Sequence, residues 1–334
     1  MSSPWGHRRA RRARRARLLV GVVAPTLLLL AACGSDDDPP LDTTPSSESS
    51  SEASDETPSP SADSSGDPSG GTAPPAGEAG TYVALGDSFA SAPLVPETDP
   101  ADGCQRSTGN YPHLVAEAAG YELTDVTCIA ASTTSMVGVQ ITGETQNLPQ
   151  FEALDEDVDL VTMTVGGNDF GLFSQLLLAC LPAAGADQAT PCRQKLAASG
   201  QEKVLLGQVD KIRGRIEATT RGILDRAPQA RVIVADYPQL LPDQGSCPDL
   251  VPLAEGDYGL VTELNKALSD AVRTGAKAGG AEVVDVFKAS KGHDVCSDDP
   301  WVNGVQTDPE RALALHPFAE GQQGVADLVL AKLR

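Results

Sequence analysis

Four short runs of consecutive apolar and β-branched residues limit most strongly what this chain can become: residues 81–85 (TYVAL), 159–165 (DLVTMTV), 231–236 (RVIVAD) and 281–287 (AEVVDVF). A strand with one face in water alternates apolar and polar residues, whereas a strand covered on both faces is apolar throughout. The runs therefore predict buried parallel strands, with a weaker fifth at 121–128. Between them, apolar residues recur at helical spacing, at Leu205, Val209, Ile212, Ile216 and Ile223 and again at Leu260, Leu264, Leu268 and Val272. Strands alternating with helices give a parallel α/β sheet with helices on both faces and right-handed crossovers. No internal repeat interrupts this pattern, so residues 79–334 are expected to form one domain.

The residues before that domain read differently. Seven arginines between Arg8 and Arg17 precede an apolar stretch over 18–32. At about 15 residues it falls short of the roughly 20 needed to cross a bilayer, and a basic segment before a short apolar one predicts a secretory leader. The stretch closes on Leu30, Ala31, Ala32, Cys33 and Gly34, which resembles a bacterial lipobox. In that reading residues 1–33 are the leader, Cys33 is lipidated, and the protein is held at the outer face of the cytoplasmic membrane. An ordinary cleavage near Ala32, releasing a secreted protein, is the alternative. The arginine pairs leave general and twin-arginine export both open. Residues 34–78 are rich in Ser, Pro and acidic side chains, lack Lys and Arg, and have Leu41 as their single large apolar residue. Such a segment cannot bury enough surface to offset its ordering entropy, and it is expected to be a disordered tether.

Charge and motif content exclude several functions. The chain carries a net charge of −21, and residues 79–334 hold 18 basic against 35 acidic side chains, so phosphate-based recognition of nucleic acid is not expected. There is no CxxC pair, HExxH run or GxxxxGK[ST] loop, which removes zinc-finger, zincin and P-loop readings, and no metal or organic cofactor is expected. Apart from Cys33 the cysteines are Cys104, Cys128, Cys180, Cys192, Cys247 and Cys296. An even set in an exported protein reads as disulfides, with 15 possible pairings among six residues. The simplest joins neighbours in order, 104 with 128, 180 with 192 and 247 with 296, and leaves no thiol nucleophile.

Functional groups in open α/β sheets gather beyond the carboxyl ends of the strands. The first strand is followed by Gly86-Asp87-Ser88-Phe89, the run at 159–165 by Gly166-Gly167-Asn168-Asp169, the weaker strand by Cys128-Ile129-Ala130-Ala131-Ser132, and Leu315-His316-Pro317 comes late. Each alone is an ordinary turn signal, since Gly permits positive φ and Asp bonds nearby backbone. A Ser, an Asn and a His at three element ends in this order are what acyl transfer needs. Of the other histidines, His113 reads as a cap or packing residue at a helix start, His293 as a surface-loop residue, and His7 leaves with the leader. Asp87 and Asp169 read as turn-shaping groups. Phe89, Phe170, Leu172 and Phe173 flank these turns, as either an apolar acyl site or core packing.

GDSF at 86–89, GGND at 166–169 and the late HP at 316–317 resemble the ordered blocks of the SGNH (GDSL) hydrolases. Cys104, Arg106, Tyr111-Pro112 and Trp301-Val302 are similar to the secreted actinobacterial esterase and lipase branch. The resemblance covers about residues 80–330. It implies a three-layer α/β/α flavodoxin-like fold and a monomeric serine esterase or lipase that hydrolyses a lipid, a short acyl ester or an acetylated sugar. Ser88 would be the nucleophile and His316 the general base and then acid, because a serine hydroxyl attacks only when a base removes its proton. The oxyanion donors would be the N–H groups of Ser88 and Ala130 and the Asn168 side chain. Two departures stand out. Ala130 occupies a position where relatives usually carry Gly, and Gly138 is the competing assignment. Leu313 stands where most relatives carry the Asp that orients the histidine, so the Leu313 carbonyl would hold Nδ1–H and leave a Ser-His dyad, with Asp308 as the alternative acceptor. A binding lipoprotein that has lost turnover is the rival reading, supported by Leu313 and opposed by the retained Ser88, Asn168 and His316.

Overall fold

A computed structural model describes residues 80–181 and 189–334. The expected leader, the lipidation site Cys33 and the tether over 34–78 lie outside the described residues. Strands β1 (Thr81–Gly86), β2 (Glu122–Asp125), β3 (Leu160–Thr164), β4 (Arg231–Ala235) and β5 (Glu282–Val284) form one parallel sheet in the order β2-β1-β3-β4-β5. The eight α-helices among the described residues are α1 (Ser88–Ser91), α2 (Tyr111–Ala119), α3 (Leu172–Cys180), α4 (Pro191–Ser199), α5 (Gln201–Leu224), α6 (Tyr258–Gly279), α7 (Val286–Ala289) and α8 (Ala319–Leu333). None is long and apolar enough to cross a membrane.

The continuous apolarity of the strand runs has the predicted cause. Val83, Leu85, Val161, Met163, Val232 and Val234 point into a core under α5 and α6, completed by α3 and α4. Their neighbours Tyr82, Ala84, Leu160, Ile233 and Ala235 point the other way, into a core under α2 and α8. The result is a three-layer α/β/α domain. Two strands are shorter than the sequence predicts. The run at 281–287 leaves the sheet after Val284, because a carboxylate oxygen of Asp236 accepts the N–H groups of Val286 and Phe287 at 2.5 and 3.2 Å and starts α7 there. The edge strand ends at Asp125, whose side chain accepts from the N–H and hydroxyl of Thr127 at 2.9 and 2.6 Å and turns the chain. Disulfides join Cys104 to Cys128, Cys180 to Cys192 and Cys247 to Cys296.

The strand order reverses between β1 and β3, so the crossovers leave in opposite directions and open a crevice above the two carboxyl ends. Gly86 is paired with Thr164 across that boundary. The segments that follow, Asp87-Ser88 and 165–168, therefore leave the sheet side by side.

Candidate active site

Ser88 sits at the first position of α1, directly beyond β1, and is 6% exposed. Three features hold it there. Gly86 has φ 149° and lies so close to β3 that a Cβ would stand 2.6 Å from the Thr164 carbonyl, so only glycine fits. The Gln150 side-chain amide accepts from the Gly86 N–H at 2.8 Å and donates to its carbonyl at 2.9 Å. Asp87 caps α1, accepting the Phe89 N–H at 2.9 Å.

Asp87 is itself buried, and its second oxygen accepts from the Tyr237 hydroxyl. That hydroxyl in turn accepts the Gly167 N–H at 2.7 Å. Tyr237 lies just past β4, so one phenol joins the turns that follow β1 and β3. Burial pushes the Asp87 carboxyl up to about 7, against the opposing effect of the Tyr237 and Phe89 hydrogen bonds. Tyr237 is raised well above the usual phenol value, by burial first and the neighbouring Asp87 second.

His316 reaches the site from a loop before α8. Its Nε2 is 2.8 Å from Ser88 Oγ, and its Nδ1 is 2.7 Å from the Ala314 carbonyl. A carbonyl only accepts, so Nδ1 carries the proton and Nε2 presents a lone pair to the serine hydroxyl. Burial lowers the His316 pKa below the usual 6.5, while the Ala314 contact works in the opposite direction. The orienting acceptor is thus Ala314 rather than Leu313. Leu315 adopts φ 59°, which doubles the chain back so that the carbonyl two residues earlier meets the ring. The Leu313 carbonyl instead accepts from the His316 N–H at 3.2 Å and from Asn303 Nδ2 at 3.1 Å. Asp308 accepts the Glu310 N–H at 3.0 Å and serves its own turn. No hydrogen bond links it to His316 among the described residues.

Of the expected oxyanion donors, Asn168 is bonded to the residue after Ala130, and the chain just before Ala130 is bonded to Gly86 through the Cys128 N–H at 3.0 Å. Ala130 has φ 59°, the left-handed conformation that explains why glycine is usual at such a position. Neither its N–H nor that of Ser88 has an acceptor among the described residues. Asn168 is exposed, and its Nδ2 donates to the Ala131 carbonyl at 2.9 Å, which spends one of its two hydrogens and fixes the amide. The competing Gly138 donates its N–H to the Thr134 carbonyl at 2.9 Å and has none to offer. Asp169 accepts from the Thr133 N–H and hydroxyl at 3.0 and 2.5 Å, and Arg215 Nη1 lies 2.8 Å from the same carboxylate. The Arg215 guanidinium also covers the Phe170 ring at 4.0 Å. The turn-shaping role read for Asp87 and Asp169 is what these contacts describe.

His113 and His293 are bonded elsewhere than to Ser88, and His7 lies outside the described residues. His113 bonds the helix cap Asn110 at 2.7 Å, and His293 bonds the Asp299 carbonyl at 2.8 Å while stacking on Trp301. Leu172 is a core residue, whereas Phe89 packs edge-on against Tyr237 and 5.2 Å from the His316 ring. Among the described residues no group of His, Cys, Asp or Glu could hold a metal ion. Sequence reasoning missed Tyr237, Gln150 and Ala314. Tyr237 follows a strand end directly, which was an available signal; the other two had none.

The model of the GDSL-like Lipase/Acylhydrolase family matches residues 84–323. "Lipase 2" of Streptomyces coelicolor is 36% identical over 253 residues, 74% of this chain and 83% of that one. A lipase of Streptomyces rimosus is 30% identical, over 73% of this chain and 83% of its own length. Among solved structures, phospholipase A1 from Streptomyces albidoflavus superposes with a TM-score of 0.64 at 27% identity, covering 76% of this chain and 100% of that one. The extracellular lipase of Streptomyces rimosus gives a TM-score of 0.58, also at 27% identity, over 76% and 99%.

Proposed function

The chain belongs to the GDSL-like lipase/acylhydrolase family and is a carboxylic ester hydrolase, and we propose that it works through an acyl-enzyme formed on Ser88. The observation that carries this reading is the Ser88 Oγ to His316 Nε2 contact of 2.8 Å, with Nδ1 occupied by the Ala314 carbonyl. His316 takes the hydroxyl proton as Oγ attacks the ester carbonyl. The N–H groups of Ser88 and Ala130 and the Asn168 amide receive the oxyanion. Protonated His316 then gives its proton to the departing alcohol. A water deprotonated by His316 opens the acyl-enzyme, releasing the carboxylic acid and restoring Ser88. The lowered His316 pKa suits a base that must be neutral before each attack. A neutral acceptor at Nδ1 fixes the tautomer, so a Ser-His dyad suffices, and the missing carboxylate at 313 no longer favours a non-catalytic binding protein.

The substrate in this proposal is a lipid acyl ester, a reading supported by the names of the relatives at 36% and 30% identity. The chain acts as an exported monomer, with Cys33 lipidated and residues 34–78 as the tether. Loss of acyl labelling in Cys33→Ala tests the anchor. The central experiment is hydrolysis of p-nitrophenyl esters from acetate to palmitate by residues 79–334. Ser88→Ala and His316→Ala each lower kcat by about 10⁴-fold or more without moving the thermal midpoint. Fluorophosphonate labels the wild type and not Ser88→Ala. Retained turnover in either variant would overturn the mechanism, and a sharp preference for acetate over longer chains would overturn the lipid substrate.

A further inference from the structure

The ribbon just past the Ala130 loop has an outer face whose composition the reaction does not explain. Residues 140–142 and 145–147 pair antiparallel, Gln140 with Asn147 and Ile141 with Gln146. One further step of that register sets Val139 opposite Leu148. The inner face of the ribbon is fastened down. Gln140 Nε2 donates to the Ile129 carbonyl at 2.7 Å, and Thr142 Oγ1 and Asn147 Nδ2 donate to the Asp102 carbonyl at 2.9 and 3.2 Å. Side chains alternate across a strand, so Val139, Ile141 and Leu148 point outward, with exposures of 55%, 70% and 73%; Val137 beside them is 65% exposed. Four of the eight large exposed apolar side chains among the described residues thus fall within 137–148. An aliphatic strip on a short ribbon is a liability in water unless something covers it.

We propose that Val137, Val139, Ile141 and Leu148 dock the enzyme on a zwitterionic lipid surface and set the Ser88 crevice against it. Three considerations select this occupant. The segment at 34–78 is acidic with one large apolar residue, so it offers nothing for the strip to bury against. A second copy is a poor partner too, since four aliphatic side chains present a few hundred Å² at most, against about 800 Å² per partner in a standard interface. A lipid surface needs no matched partner. Charge then chooses among lipids. Glu144 is the sole charged residue of 137–148, and residues 79–334 hold 35 acidic against 18 basic side chains, so an anionic surface repels the domain and a zwitterionic one does not. Through Gln140 the strip is tied to Ile129, next to the proposed donor Ala130. Docking therefore fixes the height of the oxyanion side of the crevice above the lipid.

The proposal rests on a lipid ester being the substrate, and its test separates the two. Flotation of residues 79–334 with phosphatidylcholine vesicles measures docking, and p-nitrophenyl acetate measures chemistry. The wild type and Ser88→Ala bind the vesicles alike. The triple variant Val139→Ser, Ile141→Ser, Leu148→Ser binds at least about tenfold more weakly and loses hydrolysis of vesicle-borne ester in proportion, with p-nitrophenyl acetate turnover and thermal midpoint unchanged. Phosphatidylglycerol vesicles bind less than phosphatidylcholine ones. Undiminished binding by the triple variant, a wild type that leaves phosphatidylcholine vesicles bare, or preference for the anionic vesicles would overturn the proposal. So would a wild-type dimer in sedimentation that the triple variant abolishes. Absent p-nitrophenyl turnover with normal vesicle binding would instead count against the catalytic reading alone.

Discussion

The two walls of the crevice are built in different ways. On the nucleophile wall, Asp87, Tyr237 and Gly167 are buried and hydrogen-bonded in a chain at the ends of three neighbouring strands, so the sheet itself sets the geometry. The donor wall, residues 128–133 with the Asn168 amide bonded to the Ala131 carbonyl, hangs on a loop backed by a short ribbon. It is pinned from outside by the Cys104–Cys128 disulfide, by Asp169 on Thr133 and by Gln140 on Ile129. Ala130 there spends conformational energy at φ 59° to aim its N–H. A reacting hydroxyl and its base must stay within a few tenths of an ångström of each other, which a buried network secures. Backbone donors need only be aimed, so a cross-linked loop suffices and leaves its outer face free to meet the substrate's surroundings.

If the walls divide the work this way, changes on the donor wall should cost rate and changes on the nucleophile wall should cost stability as well. Asn168→Ala is the largest of these tests. It should lower kcat by about 10²–10³-fold with KM and thermal midpoint nearly unchanged, as measured with a soluble ester. Tyr237→Phe comes next, because it leaves the buried Gly167 N–H without an acceptor and Asp87 without a donor. A loss of about 1–3 kcal/mol in chemical denaturation is expected, with a severalfold fall in kcat. A Tyr237→Phe protein as stable as the wild type would dissolve the distinction between the walls. The pH profile probes the base itself. His316 must be neutral to act and burial depresses its pKa, so kcat/KM should hold as pH falls through 6.5 and decline only below it. An acid limb centred above 6.5 would contradict the buried imidazole. The smallest effect belongs to Ala130→Gly. Removing the left-handed strain gains about 1–2 kcal/mol, of which the added freedom of the unfolded chain takes back about 0.4–1, so the melt should shift upward slightly with activity retained.

Much of this was legible in the sequence because it follows from local pattern. The doubly covered strands, the long helices α5 and α6, and the turns carrying Ser88 and Asn168 each declare themselves within a few residues. The extent of the last strand did not. Val286 and Phe287 are as apolar as the residues before them, and their N–H groups are taken by Asp236, fifty residues away in sequence, while Asp285 caps the helix they open.

The sequence by itself determined the layered α/β architecture and offered Ser88, His316 and Asn168 for the proposed chemistry, since periodicity and side-chain chemistry are properties of residue type. Only the tertiary structure decided which group holds His316. Every residue has a carbonyl, so a main-chain acceptor leaves no mark on the sequence, and choosing Ala314 over Leu313 depended on one backbone turn at Leu315. The same holds for Tyr237, whose role arises from a contact 150 residues distant, and for the aliphatic strip. Val139 and Leu148 look like core residues until the register of the ribbon turns them toward water.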